Sequence, residues 1–283
     1  MNYLMGIFRF FAILLMIPVI LVVTGLRLPR LSEDAYRAEV ALWCRRLLAA
    51  MGVAVSHSGR PVRHAAPGEE GILLLSNHVS FIDIFAIDTL LCSRFVAKAE
   101  IGNWPVFGSI AKSVRTIFID RANRRSIIAI AEKMESVLKG GENVIFFPEG
   151  TTGPGDRLLP LHANLIEAAV ATGATVQPVV LKYTSRGERT TRLAYTDISI
   201  FRCLWNVVTT PRAAIEVEVL SPIESRGRNR HEICREVSAM MAGALGVEDP
   251  LAGTAAPRRL GCQPGIPAGV SSGPVRTKEG SAR

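Results

Sequence analysis

The chain has 283 residues, enough for one sizeable domain with additions. Its hydrophobic share of 48% and mean hydropathy of +0.26 are high for a soluble enzyme. A net charge of +8 raises a nucleic-acid reading. Aromatic residues are only 6%, no nucleic-acid motif is present, and part of the charge sits in the C-terminal tail, so that reading is set aside. The five Cys are odd in number and scattered, which suggests reduced thiols rather than a disulfide frame.

In chain order, the apolar excess comes first. From Met1 to Leu26 the only charge is Arg9, and Phe10 to Leu26 has none. As a helix that uncharged run rises about 25 Å, close to the hydrocarbon thickness of a bilayer. It reads as a membrane anchor over residues 1–28 that spans the bilayer or lies deep in one leaflet. Pro18 is expected to kink it, which membrane helices tolerate. A cleaved signal peptide is the rival; against it, Arg27-Leu28-Pro29-Arg30 offers no small-residue cleavage pattern. Arg27, Arg30, Arg37, Arg45 and Arg46 follow the run and place the body on the cytoplasmic side of the cell inner membrane. The anchor's apolar surface is expected to play little part in the core of that body. Ser32 to Met51 reads as an amphipathic helix capped by Ser32, with Val40, Trp43, Leu47 and Met51 at helical spacing. Packing on the core and lying on the membrane surface both fit it.

Gly71 to Ser76 is a short continuous apolar run, the pattern of a buried strand, and Phe81 to Leu91 reads as a helix. Between them lies Asn77-His78-Val79-Ser80-Phe81-Ile82-Asp83. Ser80 suits the N-cap, with Asp83 three residues on in the place of a capping box. His78 therefore falls on the turn, where Asp83 in the first helical turn reaches back to an imidazole nitrogen. A carboxylate there fixes the tautomer and stabilises the imidazolium formed when the other nitrogen takes a proton. The bland alternative is a helix cap beside an ordinary loop histidine.

Thr116 to Arg121 reads as a strand ending in Arg121, whose planar fork suits a phosphate; a solvated charge is the alternative. Asn143 to Phe147 is another apolar strand and runs into Pro148-Glu149-Gly150-Thr151-Thr152-Gly153-Pro154-Gly155. Loops of that kind at a strand's end are where α/β proteins build sites. Gly150 permits close approach of a ligand, and Glu149 suits a hydroxyl or a cation. Val176 to Leu181 reads as a strand with Pro178 near its start, which suits an edge or a strand beginning. Ile215 to Leu220 alternates like a half-exposed strand, and Arg230 to Leu245 like a last amphipathic helix. From Asp249 the chain is rich in Gly, Pro, Ala and Ser and reads as a disordered basic tail, residues 249–283. The scattered His and Cys give no metal-ligand spacing, and no cofactor is implied.

Four segments in order, Asn77 to Asp83, Phe118 to Arg121, Phe147 to Thr151 and Val176 to Val179, resemble the four blocks of the lysophospholipid (glycerolipid) acyltransferase family. Lys98-Ala99-Glu100, Trp104-Pro105 and Gly108 look familial too, and the resemblance runs over roughly residues 40 to 225. It implies His78 as base and Asp83 as its orienter, with Arg121, Glu149, Gly150 and Thr151 holding a phosphate-bearing acceptor. It also implies acyl-CoA or acyl carrier protein as donor, a lysolipid as acceptor and the membrane as partner. A thioester is already activated, so no acyl-enzyme is needed, in keeping with the absence of a Gly-x-Ser-x-Gly elbow. The chain departs from the family at Thr152, where members often carry Arg; this favours Arg121, with Lys98 as a second cation, for phosphate recognition.

The expected architecture is an α/β domain over residues 29–248, a mixed sheet with flanking helices, preceded by the N-terminal membrane helix. The expected acceptor is the free hydroxyl of 1-acyl-sn-glycerol-3-phosphate. Another lysolipid such as a lyso-ornithine lipid is the alternative. A non-catalytic membrane-anchored lipid-binding protein is the reading from a different class, disfavoured because binding alone needs no base.

Overall fold

The computed structural model describes residues 2–62, 65, 66, 68–119 and 124–253, with backbone only for residues 2 and 124–127. The elements are α1 (Asn2–Val22), α2 (Glu33–Met51), β1 (Val53–Gly59), β2 (Leu73–Ser76), α3 (Asp83–Asp88), β3 (Arg94–Lys98), α4 (Phe107–Ser113), β4 (Ile117–Ile119), α5 (Arg124–Lys139), β5 (Val144–Phe146), α6 (Glu167–Thr172), β6 (Val176–Ser185), β7 (Glu188–Arg189), α7 (Ile200–Thr209), β8 (Ala213–Val219) and α8 (Arg230–Leu245).

Seven strands form the sheet path in the order β1-β8-β6-β2-β5-β3-β4, with β7 pairing β6 at its far end. The run from β6 to β4 is parallel, whereas β8 meets β6 antiparallel, so the sheet is mixed as expected. Alternation along the strands divides the core into two layers. Leu73, Leu75, Val144 and Phe146 face α5, α6 and α8; Leu74, Ile145 and Phe147 face α1, α2, α3 and α7. That double burial is why the central strands read as continuous apolar runs. β8, by contrast, alternates buried and half-buried residues from Ala213 to Val219. Pro178 is the third residue of an interior strand; its carbonyl accepts the Leu220 N–H at 2.9 Å, and the Gln177 side-chain amide donates to the Leu220 carbonyl at 3.2 Å.

α1 departs from the expected detached anchor. One stripe of it packs on the body, where Gly6, Ile13, Thr24 and Leu28 (the last two in the turns that follow α1) are buried. A Cβ on Gly6 would stand 2.6 Å from the Thr209 methyl, so only glycine lets α1 come this close to α7. Arg9 lies over Gly52 and donates to the Val208 carbonyl at 2.9 Å. It satisfies an orphan acceptor in the last turn of α7, where a cation also suits the helix dipole. The opposite stripe, including Leu4, Phe8, Phe11, Leu15, Val22 and Leu26, stays exposed. Pro18 lies inside an unbroken helical span.

α2 buries Tyr36, Val40, Cys44, Leu48 and Met51, one row round from the predicted stripe, so it is a core-packing helix. Trp43 is half-buried, its indole N–H bonded to Glu39. Ser32 is at the N-cap position, but its side chain makes no cap bond. Beyond α8, Asp249 accepts the Ser238 hydroxyl at 2.5 Å and Leu251 packs on the first core layer, so the body holds these residues. Residues 254–283 of the expected tail lie outside the described residues.

Candidate active site

β2, β5, β3 and β4 run parallel and end at one edge of the sheet, so the loops that follow them converge there. Asn77, the first residue beyond β2, fastens that loop to β6. Its amide donates to the Leu181 carbonyl at 3.1 Å and accepts the Leu181 N–H at 2.8 Å.

His78 and Asp83 meet. Nδ1 of His78 lies 2.7 Å from Asp83 Oδ2, and that same oxygen accepts the N–H groups of Val79 at 2.7 Å and Ser80 at 2.9 Å. One carboxylate therefore makes both the cap contact to the Ser80 N–H and the contact to the imidazole. Asp83 is fully buried, while about a fifth of the His78 side chain remains exposed. Because Nδ1 is taken by Asp83, Nε2 is the ring nitrogen left for any other partner. The phenyl ring of Phe147 stacks under the imidazole, 3.9 Å between centroids and 11° from parallel.

α3 is shorter than expected, running from Asp83 to Asp88. The N–H groups of Val79 and Ser80 are drawn onto Asp83 and Phe81–Ile82 form a turn, so Ile82 rather than Ser80 takes the N-cap place. The Ser80 hydroxyl faces Cys203 Sγ at 3.7 Å.

Glu149 comes next to His78 across the site. Its Oε1 accepts the His78 backbone N–H at 2.7 Å and its Oε2 the Leu159 N–H at 3.0 Å. The sequence suggests a substrate hydroxyl or a cation for this carboxylate; in the fold both its oxygens already hold backbone N–H groups. Burial pushes its carboxyl up from the ordinary 4.5 to about 7; the two backbone N–H bonds pull the other way and the Asp83 charge adds to the rise. The His78 carbonyl accepts from Gly153 N–H at 2.7 Å, so both peptide groups of His78 are tied to the loop after β5.

Gly150 adopts φ +74°, the left-handed region that favours glycine, and its N–H bonds the Phe147 carbonyl at 3.1 Å. Thr151 is exposed. The Thr152 hydroxyl donates to the Tyr195 carbonyl, and the Tyr195 N–H returns to the Val79 carbonyl at 2.8 Å. Thr152 thus braces the loop where a cation was expected from the family. Lys98 pairs in register with Ile119, beside the point where the chain leaves β4. Arg121 itself lies outside the described residues. A cleft of about 120 Å³ opens between Ile119, Phe147, Pro148, Gly150, His162 and Leu165.

Sequence reasoning missed Tyr183, whose hydroxyl donates to Asp83 Oδ1, and the Phe147 ring under His78. Tyr183 closely follows the fourth block and Phe147 opens the third, but no local pattern says that either touches the His–Asp pair. Among the described residues no cluster of His, Cys, Asp and Glu is arranged to hold a metal ion.

The sequence profile of the family described as Acyltransferase matches residues 56–182. A 1-acyl-sn-glycerol-3-phosphate acyltransferase of Neisseria meningitidis serogroup B is 40% identical over 187 residues, 66% of this chain and 71% of that protein. A lyso-ornithine lipid O-acyltransferase of Pseudomonas aeruginosa is 32% identical over 233 residues, 82% of this chain and 85% of that protein. The crystal structure of the 1-acyl-sn-glycerophosphate acyltransferase of Thermotoga maritima shares the fold, with a TM-score of 0.65 at 22% identity over 87% of this chain and 95% of that one. The chain belongs to the acyltransferase family. It is a transferase that takes an acyl donor and a lipid acceptor.

Proposed function

We propose that the enzyme transfers a fatty acyl group from acyl-CoA or acyl carrier protein to the free hydroxyl of 1-acyl-sn-glycerol-3-phosphate, with His78 as general base. The 2.7 Å contact between His78 Nδ1 and buried Asp83 carries the reading. Nε2 takes the proton of the lysolipid hydroxyl, and the oxygen attacks the thioester carbonyl carbon. The tetrahedral intermediate collapses with cleavage of the C–S bond, and the imidazolium returns the proton to the departing thiolate. Glu149 holds the His78 backbone throughout; Gly150 and Thr151 bound the acceptor side, and Arg121 and Lys98 are the residues proposed to pair with the acceptor's phosphate. The cleft against Ile119 borders Phe147, whose ring stacks on His78, and offers space for the head group.

Lyso-ornithine lipid is the second reading. Two observations favour it: Thr152 directs its hydroxyl to Tyr195 and brings no cation, and the Pseudomonas relative aligns over more of the chain than the Neisseria one. The assay is turnover of purified enzyme with an acyl thioester and, in turn, lysophosphatidic acid, lyso-ornithine lipid and neutral monoacylglycerol. Preference for lysophosphatidic acid is expected. Acylation of lyso-ornithine lipid alone overturns the first reading and establishes the second.

The membrane reading rests on α1 and the turns after it, which together are long and apolar enough to cross a bilayer (mean hydropathy 2.6 over the most apolar window). The stripe of α1 held against the body supports the reading that its outer stripe is the surface offered to lipid and that the helix lies in one leaflet. The basic residues after it support a body on the cytoplasmic side of the inner membrane.

A further inference from the structure

We propose that Tyr183 is a positioning residue of this reaction, its hydroxyl fixing and sharing the charge of the carboxylate that orients His78. The proposal rests on the reading of His78 as base.

Tyr183 stands on β6, 100 residues from Asp83 in sequence, and is 2% exposed. A buried phenol needs a hydrogen-bond partner, and backbone carbonyls are the commonest acceptors in a sheet-and-helix core. This one takes Oδ1 of Asp83, the oxygen that His78 does not use. Asp83 then holds four donors: the phenol on one oxygen, and the imidazole with the Val79 and Ser80 N–H groups on the other. Two consequences follow. With both oxygens engaged the carboxylate cannot rotate, so the imidazole plane is set, in addition to its stacking on Phe147. The negative charge is also divided, so less of it acts on the imidazolium than an Asp83 without the phenol would supply. Burial and the neighbouring Asp83 push the Tyr183 hydroxyl well above its ordinary range, which keeps it a donor at every working pH.

Among the described residues, the titratable groups facing this unit are Asp83 itself from α3, Glu149 from the loop after β5, Tyr183 from β6 and Cys203 from α7. The Glu149 carboxyl is pushed up to about 7 by burial, so the experiment separates its contribution by substitution.

The test compares wild type with Tyr183→Phe and with Tyr183 replaced site-specifically by 3,5-difluorotyrosine, a more acidic phenol and stronger donor. The readouts are kcat, KM for both substrates and the acid limb of kcat/KM against pH, each repeated in a Glu149→Gln background. In Tyr183→Phe, kcat falls about tenfold, the scale of one hydrogen bond, with both KM values little changed. Its acid limb moves to higher pH, because the undivided carboxylate favours the imidazolium more. Difluorotyrosine moves the limb the other way, and both shifts persist without Glu149. If Tyr183→Phe fails to fold, the difluorotyrosine enzyme decides by itself. An acid limb that stays put in the folded variants overturns the proposal whatever happens to kcat, since a phenol that merely packs would leave it there. His78→Ala, run alongside, separates the two failures: an inactive His78→Ala with stationary limbs removes only the role of Tyr183, whereas an active one removes the base as well.

Discussion

The loop after β2 presents an imidazole whose partner lies five residues further on, whereas the loop after β5 presents no such base and directs its buried polar groups at the backbone of the first. His78 is partly open and its ring nitrogen reaches the site; Glu149 is buried and both its oxygens hold N–H groups. On the proposed mechanism one loop carries the chemistry and the other its geometry. Mutations in the second should therefore act as weakened versions of mutations in the first.

The largest effect is expected for His78→Ala. Loss of a general base costs about 10²–10⁴-fold in rate, and a partly exposed loop side chain leaves melting little changed. Near-normal turnover of the folded variant would erase the distinction between the loops.

Glu149→Gln comes next. The Gln amide cannot accept from both the His78 and Leu159 N–H groups as the carboxylate does, so the imidazole drifts, and a shift of about 1 Å costs up to about 10²-fold. The same variant has a stability signature. The folded carboxyl titrates at about 7 rather than 4.5, so its contribution is complete below about pH 4.5 and is lost as pH rises through 7, where the buried group must ionise. Wild type should lose about 2–3 kcal/mol relative to Glu149→Gln between pH 5 and 8. Parallel stability curves for the two proteins would show that Glu149 ionises without cost.

A contrast of the same kind runs along α1. Ile13→Ala, on the body side, should cost about 2–3 kcal/mol of stability in detergent, while Leu15→Ala on the outer stripe stays within about 0.5 kcal/mol. Leu15→Lys should instead weaken binding to lipid vesicles. Equal, small stability effects at both positions would restore the detached anchor expected from sequence.

Thr152→Val should be the mildest change. It removes the hydroxyl bond to Tyr195, worth about 0.5–1.5 kcal/mol, and should lower turnover of every acceptor alike. Selective loss on one acceptor would mean that Thr152 reads the head group rather than bracing the loop.

The sequence by itself determined what depends on near neighbours. The strands at Gly71 to Ser76 and Asn143 to Phe147, the alternation of Ile215 to Leu220 and the helix from Arg230 to Leu245 were legible because side-chain period follows local backbone geometry. The His78–Asp83 pair was legible too, since both residues sit within one turn of chain. Tertiary structure decided the rest. Glu149 meets the His78 N–H across 71 residues and Tyr183 meets Asp83 across 100, contacts set by sheet order and register that no local pattern encodes. The same holds for α1. A helix apolar on every side does not show which stripe will meet protein and which will meet lipid, because both solvents favour the same residues. Gly6 and Arg9 lie on the body side, and their meaning depends on α7, nearly two hundred residues further on.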